Sequence, residues 1–123
     1  MSTFSRSERV SGHVKKILTD ILKKDINDPR LDMVTVTRVK LTSDLKIARI
    51  YFALAGSKKT VNDAEQGFKS ARGFIKRSLA RQLDLRFMPE IEFYYDETFD
   101  YASHIDELLR SIQTNDKKNI KSY

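Results

Sequence analysis

Cysteine and tryptophan are both absent from this chain of 123 residues. Without thiols there is no disulfide, no thiolate nucleophile and no cysteine-ligated zinc or iron–sulfur centre, so stability rests on packing and the chain fits a reducing cytoplasm. Proline occurs only at Pro29 and Pro89, and glycine only at Gly12, Gly56, Gly67 and Gly73. That scarcity leaves no Pro/Gly/Ser-rich linker, and there is no internal repeat or low-complexity block. Long apolar runs are missing too: none approaches the roughly 20 residues that cross a bilayer. Met1 to Glu8 holds no apolar stretch that could act as a secretory signal, so a cytoplasmic protein away from membranes is expected.

What is present fits one soluble domain: 40% of the residues are hydrophobic and 33% charged. We expect a single domain over residues 1–113 and a flexible polar tail over 114–123. The 23 Lys and Arg exceed the 17 Asp and Glu by six, and the charge is unevenly spread. Between Phe68 and Phe87 stand Lys69, Arg72, Lys76, Arg77, Arg81 and Arg86 against the single acid Asp84. Between Pro89 and Leu109 stand Glu90, Glu92, Asp96, Glu97, Asp100, Asp106 and Glu107 with no Lys or Arg. A basic segment followed directly by an acidic one predicts a basic face suited to a polyanion.

Periodicity places these charges on elements. Ser5 and Glu8 have capping-box spacing, and Val10, Val14, Ile17, Leu18, Ile21 and Leu22 follow on one face of a helix over about 6–25, which Asn27-Asp28-Pro29 ends. Its other face carries Arg6, Arg9, Lys16 and Lys23. Met33 to Leu41 is β-branched and Ile47 to Leu54 alternates, so the two predict a hairpin across Ser43-Asp44. In the first strand Val34/Val36 and Val39/Leu41 have opposite parity, which points to a bulge or to partial burial of both faces. Thr60 and Asp63 cap another helix, whose pattern through Ala64, Phe68, Ala71, Ile75, Leu79 and Leu83 runs to about Leu85. Gly73 interrupts it at a cost of about 1 kcal/mol, so two helices meeting in a kink at Ala71-Arg72-Gly73 are expected. Pro89 opens a third strand with Ile91, Phe93 and Tyr95 on the covered face, and Ile105, Leu108, Leu109 and Ile112 predict a short last helix. The result is a two-layer α+β domain in the order α-β-β-α-(kink)-α-β with an added C-terminal helix.

Lys69, Arg72 and Lys76 are spaced three or four apart and Arg77 and Arg81 form an adjacent row, so one broad stripe could meet several phosphates. The plainer reading is a solvated helix face whose cations pair with the acidic segment that follows. The first-helix cations are a weaker signal, since Glu8, Asp20 and Asp25 are interleaved with them. Tyr51 and Tyr94 either stack on bases or simply pair across strands. Asp96, Glu97 and Asp100 offer oxygen ligands to a hard cation, yet acids at a helix start already stabilise its dipole. His13 and His104 form neither a metal pair nor a catalytic dyad, and no phosphate-binding glycine loop exists, so no cofactor and no enzyme is expected.

Specific residues then carry a resemblance. Arg6 and Arg9-Val10, Asp28-Pro29-Arg30, Ser43-Asp44-Leu45, Ala48-Arg49-Ile50-Tyr51, the run from Ser70 to Ala80, Leu85-Arg86 and Pro89-Glu90-Ile91-Glu92-Phe93 fall in the order found in the ribosome-binding factor A family. The chain resembles that family over roughly residues 6–109. The resemblance implies a type II KH-like fold and a monomer that binds the immature small ribosomal subunit and its 16S rRNA. It implies promotion of late maturation, including 5′-end processing, with a role in the cold, and release by a ribosome-associated GTPase or by completion of RNA folding. KH domains clamp RNA backbone with a Gly-x-x-Gly loop. No two glycines here have that spacing, and Ala71-Arg72-Gly73 stands in its place. RNA contacts are therefore expected from Lys69, Arg72, Lys76, Arg77, Arg81 and Arg86, with Arg6, Arg9, Lys16 and Lys23. The competing reading is a non-catalytic adaptor docking on an acidic protein.

Overall fold

Ser5 starts the first element by accepting a hydrogen bond from the Glu8 amide at 3.2 Å, and helix α1 then runs Arg6–Lys24. A computed structural model describes residues 5–54, 60–99, 108–110 and 112. After α1 comes a 3₁₀ turn, Pro29–Leu31, followed by strands β1 (Thr35–Leu41) and β2 (Ile47–Ala53), helix α2 (Val61–Gln82) and strand β3 (Glu90–Tyr95). The three strands form one sheet in the order β1-β2-β3, with β1 and β2 antiparallel and β2 and β3 parallel. A parallel neighbour requires a crossover, and α2 supplies it. This is the α+β arrangement that the alternating periods predict.

Both helices lie over one face of the sheet, α1 against β1 and α2 against β3. Val14, Leu18 and Ile21 from α1, Phe68, Ile75 and Leu79 from α2, and Ala48, Ile50, Phe52 and Ile91 from the sheet are buried together. Phe68 ties the layers: its ring lies 4.2 Å from that of Phe93 and 5.0 Å from that of Phe52. A buried serine joins α1 to the sheet, because Ser11 Oγ donates to the Ser7 carbonyl at 2.7 Å and accepts from the Leu41 amide at 3.0 Å.

Two sequence ambiguities are settled. The parity conflict in the first strand is a bulge: the β1–β2 register shifts between Val36 and Arg38, leaving Thr37 as the extra residue. The two helices expected to meet at Ala71-Arg72-Gly73 form one continuous element, α2, of 22 residues. Its Thr60–Asp63 capping box is reciprocal, with both bonds at 3.1 Å, and burial of Phe68, Ile75 and Leu79 on either side of Gly73 outweighs the propensity cost of one glycine. Nor does Gly73 admit a close backbone, since an added Cβ would meet only the Arg77 guanidinium, at 3.2 Å. The glycine with a packing role is Gly67, where a Cβ would lie 2.8 Å from Leu31 Cγ and 3.2 Å from Arg30 Cβ. The 3₁₀ turn seats there. Asp28 caps it, Arg30 forks onto the Asp28 carboxylate at 2.8 and 3.1 Å, and Arg30 Nη2 also donates to Ser70 Oγ on α2 at 3.2 Å.

Past β3, Glu97–Phe99 are helical, with Asp96 accepting from the Phe99 amide at 3.2 Å. Of the expected last helix, residues 108–110 and 112 are helical with Leu108, Leu109 and Ile112 exposed, while Ile105 lies outside the described residues. The tail from Thr114, Asp100 and His104 lie outside them as well.

Candidate nucleic-acid interface

Helix α2 gathers the basic segment because Lys69, Arg72, Lys76, Arg77 and Arg81 all fall outside the positions that bury Phe68, Ile75 and Leu79. Lys69, Arg72, Arg77 and Arg81 are exposed and Lys76 is half-buried. Two of the five are already engaged: Arg72 Nη2 and Lys76 Nζ reach the two oxygens of Glu90, at the start of β3, at 3.0 and 3.3 Å. The Lys76 ammonium, and after it the Arg72 guanidinium, hold the Glu90 carboxyl below the usual carboxylate range. Pairing with the following acidic segment is therefore real at these two positions. Arg81 donates to Ser78 Oγ at 3.3 Å, and among the described residues Lys69, Arg77 and Arg81 make no ion pair.

On α1, Arg6, Arg9, Lys16 and Lys23 recur at intervals of three and seven and lie on its exposed side. None forms an ion pair with a described residue. The fold brings Arg6 to Arg86, two residues far apart in sequence, because both line a cleft with the β1–β2 hairpin. Lys46 and Phe87 line it too, and neither is among the residues that the sequence singles out. The adjacency Arg86-Phe87, cation beside aromatic in a loop, is the signal that could have marked them.

The open face of the sheet is a different surface. Tyr51 and Tyr94 stack with ring centroids 5.6 Å apart, and the Arg38 guanidinium lies 4.0 Å above the Tyr51 ring. The Tyr94 hydroxyl donates to Glu92 at 2.7 Å, and Glu92 pairs with Arg49 at 3.6 Å. Tyr51 is thus layered between Arg38 and Tyr94, and cross-strand pairing accounts for both tyrosines.

Asp96 belongs to the scaffold. Its carboxylate accepts from the Thr37 hydroxyl at 2.6 Å and lies 3.7 Å from Arg38 Nε. The Thr37 bond is the largest reason its pKa is lowered, with the Phe99 amide and Arg38 adding to it against burial. Among the described residues no three His, Asp or Glu side chains are grouped as metal ligands, and no helix is long and apolar enough to cross a membrane.

The family model described as ribosome-binding factor A matches residues 6–109. The chain belongs to the ribosome-binding factor A family. Among its relatives, the ribosome-binding factor A of Desulfatibacillum aliphaticivorans is 46% identical over 112 residues, which cover 91% of each chain. A Thermotoga maritima member solved by NMR aligns with a TM-score of 0.65 at 28% identity, covering 79% of this chain and 92% of that one. The Thermus thermophilus ribosome-binding factor A, as fitted into a cryo-EM map of its complex with the 30S subunit, aligns over 75% of this chain with a TM-score of 0.58 at 24% identity. Family membership thus extends from α1 past β3 and includes both the α2 stripe and the cleft at Arg6, Lys46 and Arg86.

Proposed function

We propose that this chain is a non-catalytic assembly factor of the small ribosomal subunit, which binds immature subunits through 16S rRNA and biases their conformation late in maturation. The observation that carries the reading is the exposed cation row of α2, at Lys69, Arg72, Arg77 and Arg81, in a chain that belongs to a family named for ribosome binding. A rigid helix fixes the spacing of those cations, so it favours an RNA fold whose phosphates match it. Holding one arrangement more tightly than another shifts the RNA equilibrium by that affinity difference and requires no nucleotide hydrolysis by this chain. The KH-like character, 5′-end processing, a contribution in the cold, action as a monomer in the cytoplasm and release by a ribosome-associated GTPase belong to the same reading.

The test is co-sedimentation of purified full-length protein with salt-washed small subunits. The triple variant Arg72→Glu, Lys76→Glu, Arg77→Glu is expected to leave the subunit fraction while keeping its far-ultraviolet circular dichroism. Unchanged co-sedimentation of a folded triple variant, and of wild type across a salt series, would transfer the contact to an uncharged protein surface and overturn the reading.

A further inference from the structure

The cleft shared by Arg6 and Arg86 has a chemistry distinct from the α2 stripe. Its volume is about 290 Å³, near the lower end, ~300 Å³, of small-molecule pockets. Three separate parts of the chain build it: the start of α1 with Arg6, the hairpin with Asp44, Leu45 and Lys46, and the α2–β3 connection with Arg86 and Phe87. Phe87 is 75% exposed, the most exposed large apolar side chain among the described residues. Beside it the lining carries Arg6, Lys46 and Arg86 together with the acids Asp44 and Glu90. The Arg86 guanidinium stands 5.5 Å from the ring centroid, at the outer limit of a cation–π contact, so the ring is only loosely engaged.

The acids of this cleft are already occupied. Asp44 accepts from the Thr42 hydroxyl at 2.6 Å and the Lys46 amide at 3.1 Å, and Glu90 holds Arg72 and Lys76. Arg6, Lys46 and Arg86 make no ion pair with any described residue. Leu45, with φ at 60°, closes the hairpin turn by donating its amide to the Thr42 carbonyl at 2.8 Å. An exposed aromatic in a cleft that also holds cations without ion pairs among the described residues matches a base plane flanked by phosphates. An acidic protein segment would match the cations and leave the ring without a planar partner.

Resting on the ribosomal reading above, we propose that this cleft seats one unpaired nucleotide of the RNA, its base stacked on Phe87 and its flanking phosphates against Arg6, Lys46 and Arg86. Duplex RNA keeps its bases stacked inside and cannot satisfy the ring, so the cleft gives the chain a preference for a single-stranded linker or an extruded base.

The probe is a single-stranded RNA of about eight nucleotides with one 2-aminopurine, set against a blunt duplex of the same length. Wild-type protein is expected to bind the single strand preferentially and to quench the 2-aminopurine. Phe87→Ala should abolish the quenching and weaken binding about tenfold. Phe87→Trp should retain both, and Phe87→Leu should behave as alanine does. Lys46→Glu and Arg86→Glu, which leave the ring in place, should weaken binding and flatten the salt slope by about 0.7 for each phosphate no longer neutralised. They test the cleft even if Phe87→Ala misfolds. The proposal falls if wild-type protein does not bind the single strand or binds it without quenching. It falls equally if Phe87→Leu binds as tightly as Phe87→Trp, the behaviour of a general apolar contact on a protein partner. Co-sedimentation separates the two readings: subunit binding that persists without any aromatic requirement removes the nucleotide seat alone. Single-strand quenching without subunit binding removes the ribosomal reading alone.

Discussion

Gly67 and Gly73 show how one residue type serves opposite ends. At Gly67 the missing methyl is filled by Leu31, which is itself buried, and by Arg30 Cβ, so neither neighbour can retreat cheaply. Gly67→Ala is expected to destabilise the fold by about 1–3 kcal/mol, the usual cost of overpacking. Gly73 faces only the flexible end of Arg77, and its alanine variant gains helix propensity. Gly73→Ala should therefore stabilise by about 0.5–1 kcal/mol. Urea denaturation of both variants checks the pair, and a destabilised Gly73→Ala would mean that the Arg77 guanidinium cannot give way. Sequence could not rank these glycines. Helix propensity is local and marks Gly73 and Gly67 alike, whereas the approach of Leu31 is a tertiary fact.

Among the elements, the bulge in β1 and the end of β3 are clasped by Thr37 and Asp96. The folded-state pKa of Asp96 is lowered, so its contribution is full above the ordinary aspartate value of about 3.9 and is lost as pH falls through and below it. Asp28, Asp44 and Glu90 are shifted in the same direction, and the chain is expected to lose stability steadily below about pH 4. Asp96→Ala should cost about 1–3 kcal/mol at neutral pH, because it removes the carboxylate that accepts from the Thr37 hydroxyl and the Phe99 amide, and should flatten that acid limb. Thermal melts from neutral to acid pH would show it, and an acid limb identical to wild type would remove Asp96 from the account. Helix and strand periods were legible in the sequence because each element buries one face, and the opposite parity of Val36 and Val39 left a bulge as one of two readings, which the register shift decides. Pairing of α2 cations with the acidic segment was legible as well, but not that Glu90 alone would take both Arg72 and Lys76, nor that Arg6 and Lys46 would share a cleft with Arg86. These depend on the seating of α2 beside β3 and of α1 beside the hairpin, which no local pattern encodes.

For the molecule as a whole, the net charge of +6 understates the local field, since cations are concentrated on α1, α2 and the cleft. Association with small subunits should weaken with salt, with a log–log slope of about −0.7 to −0.9 per phosphate engaged. Glu90→Gln removes the carboxylate that occupies Arg72 and Lys76, and should bind more tightly at low salt with a steeper slope. Filter binding across a salt series checks both, and a flat slope for wild type would end the electrostatic account. The notch at Gly67 has a bearing on this behaviour. Leu31 lodged there, with Arg30 latched to Ser70, sets the pitch at which a charged rod crosses its scaffold. A methyl group added at that hidden point would leave every cation at its place along the rod yet aim the whole row elsewhere, so a loss of the proposed RNA affinity can originate far from the charged face.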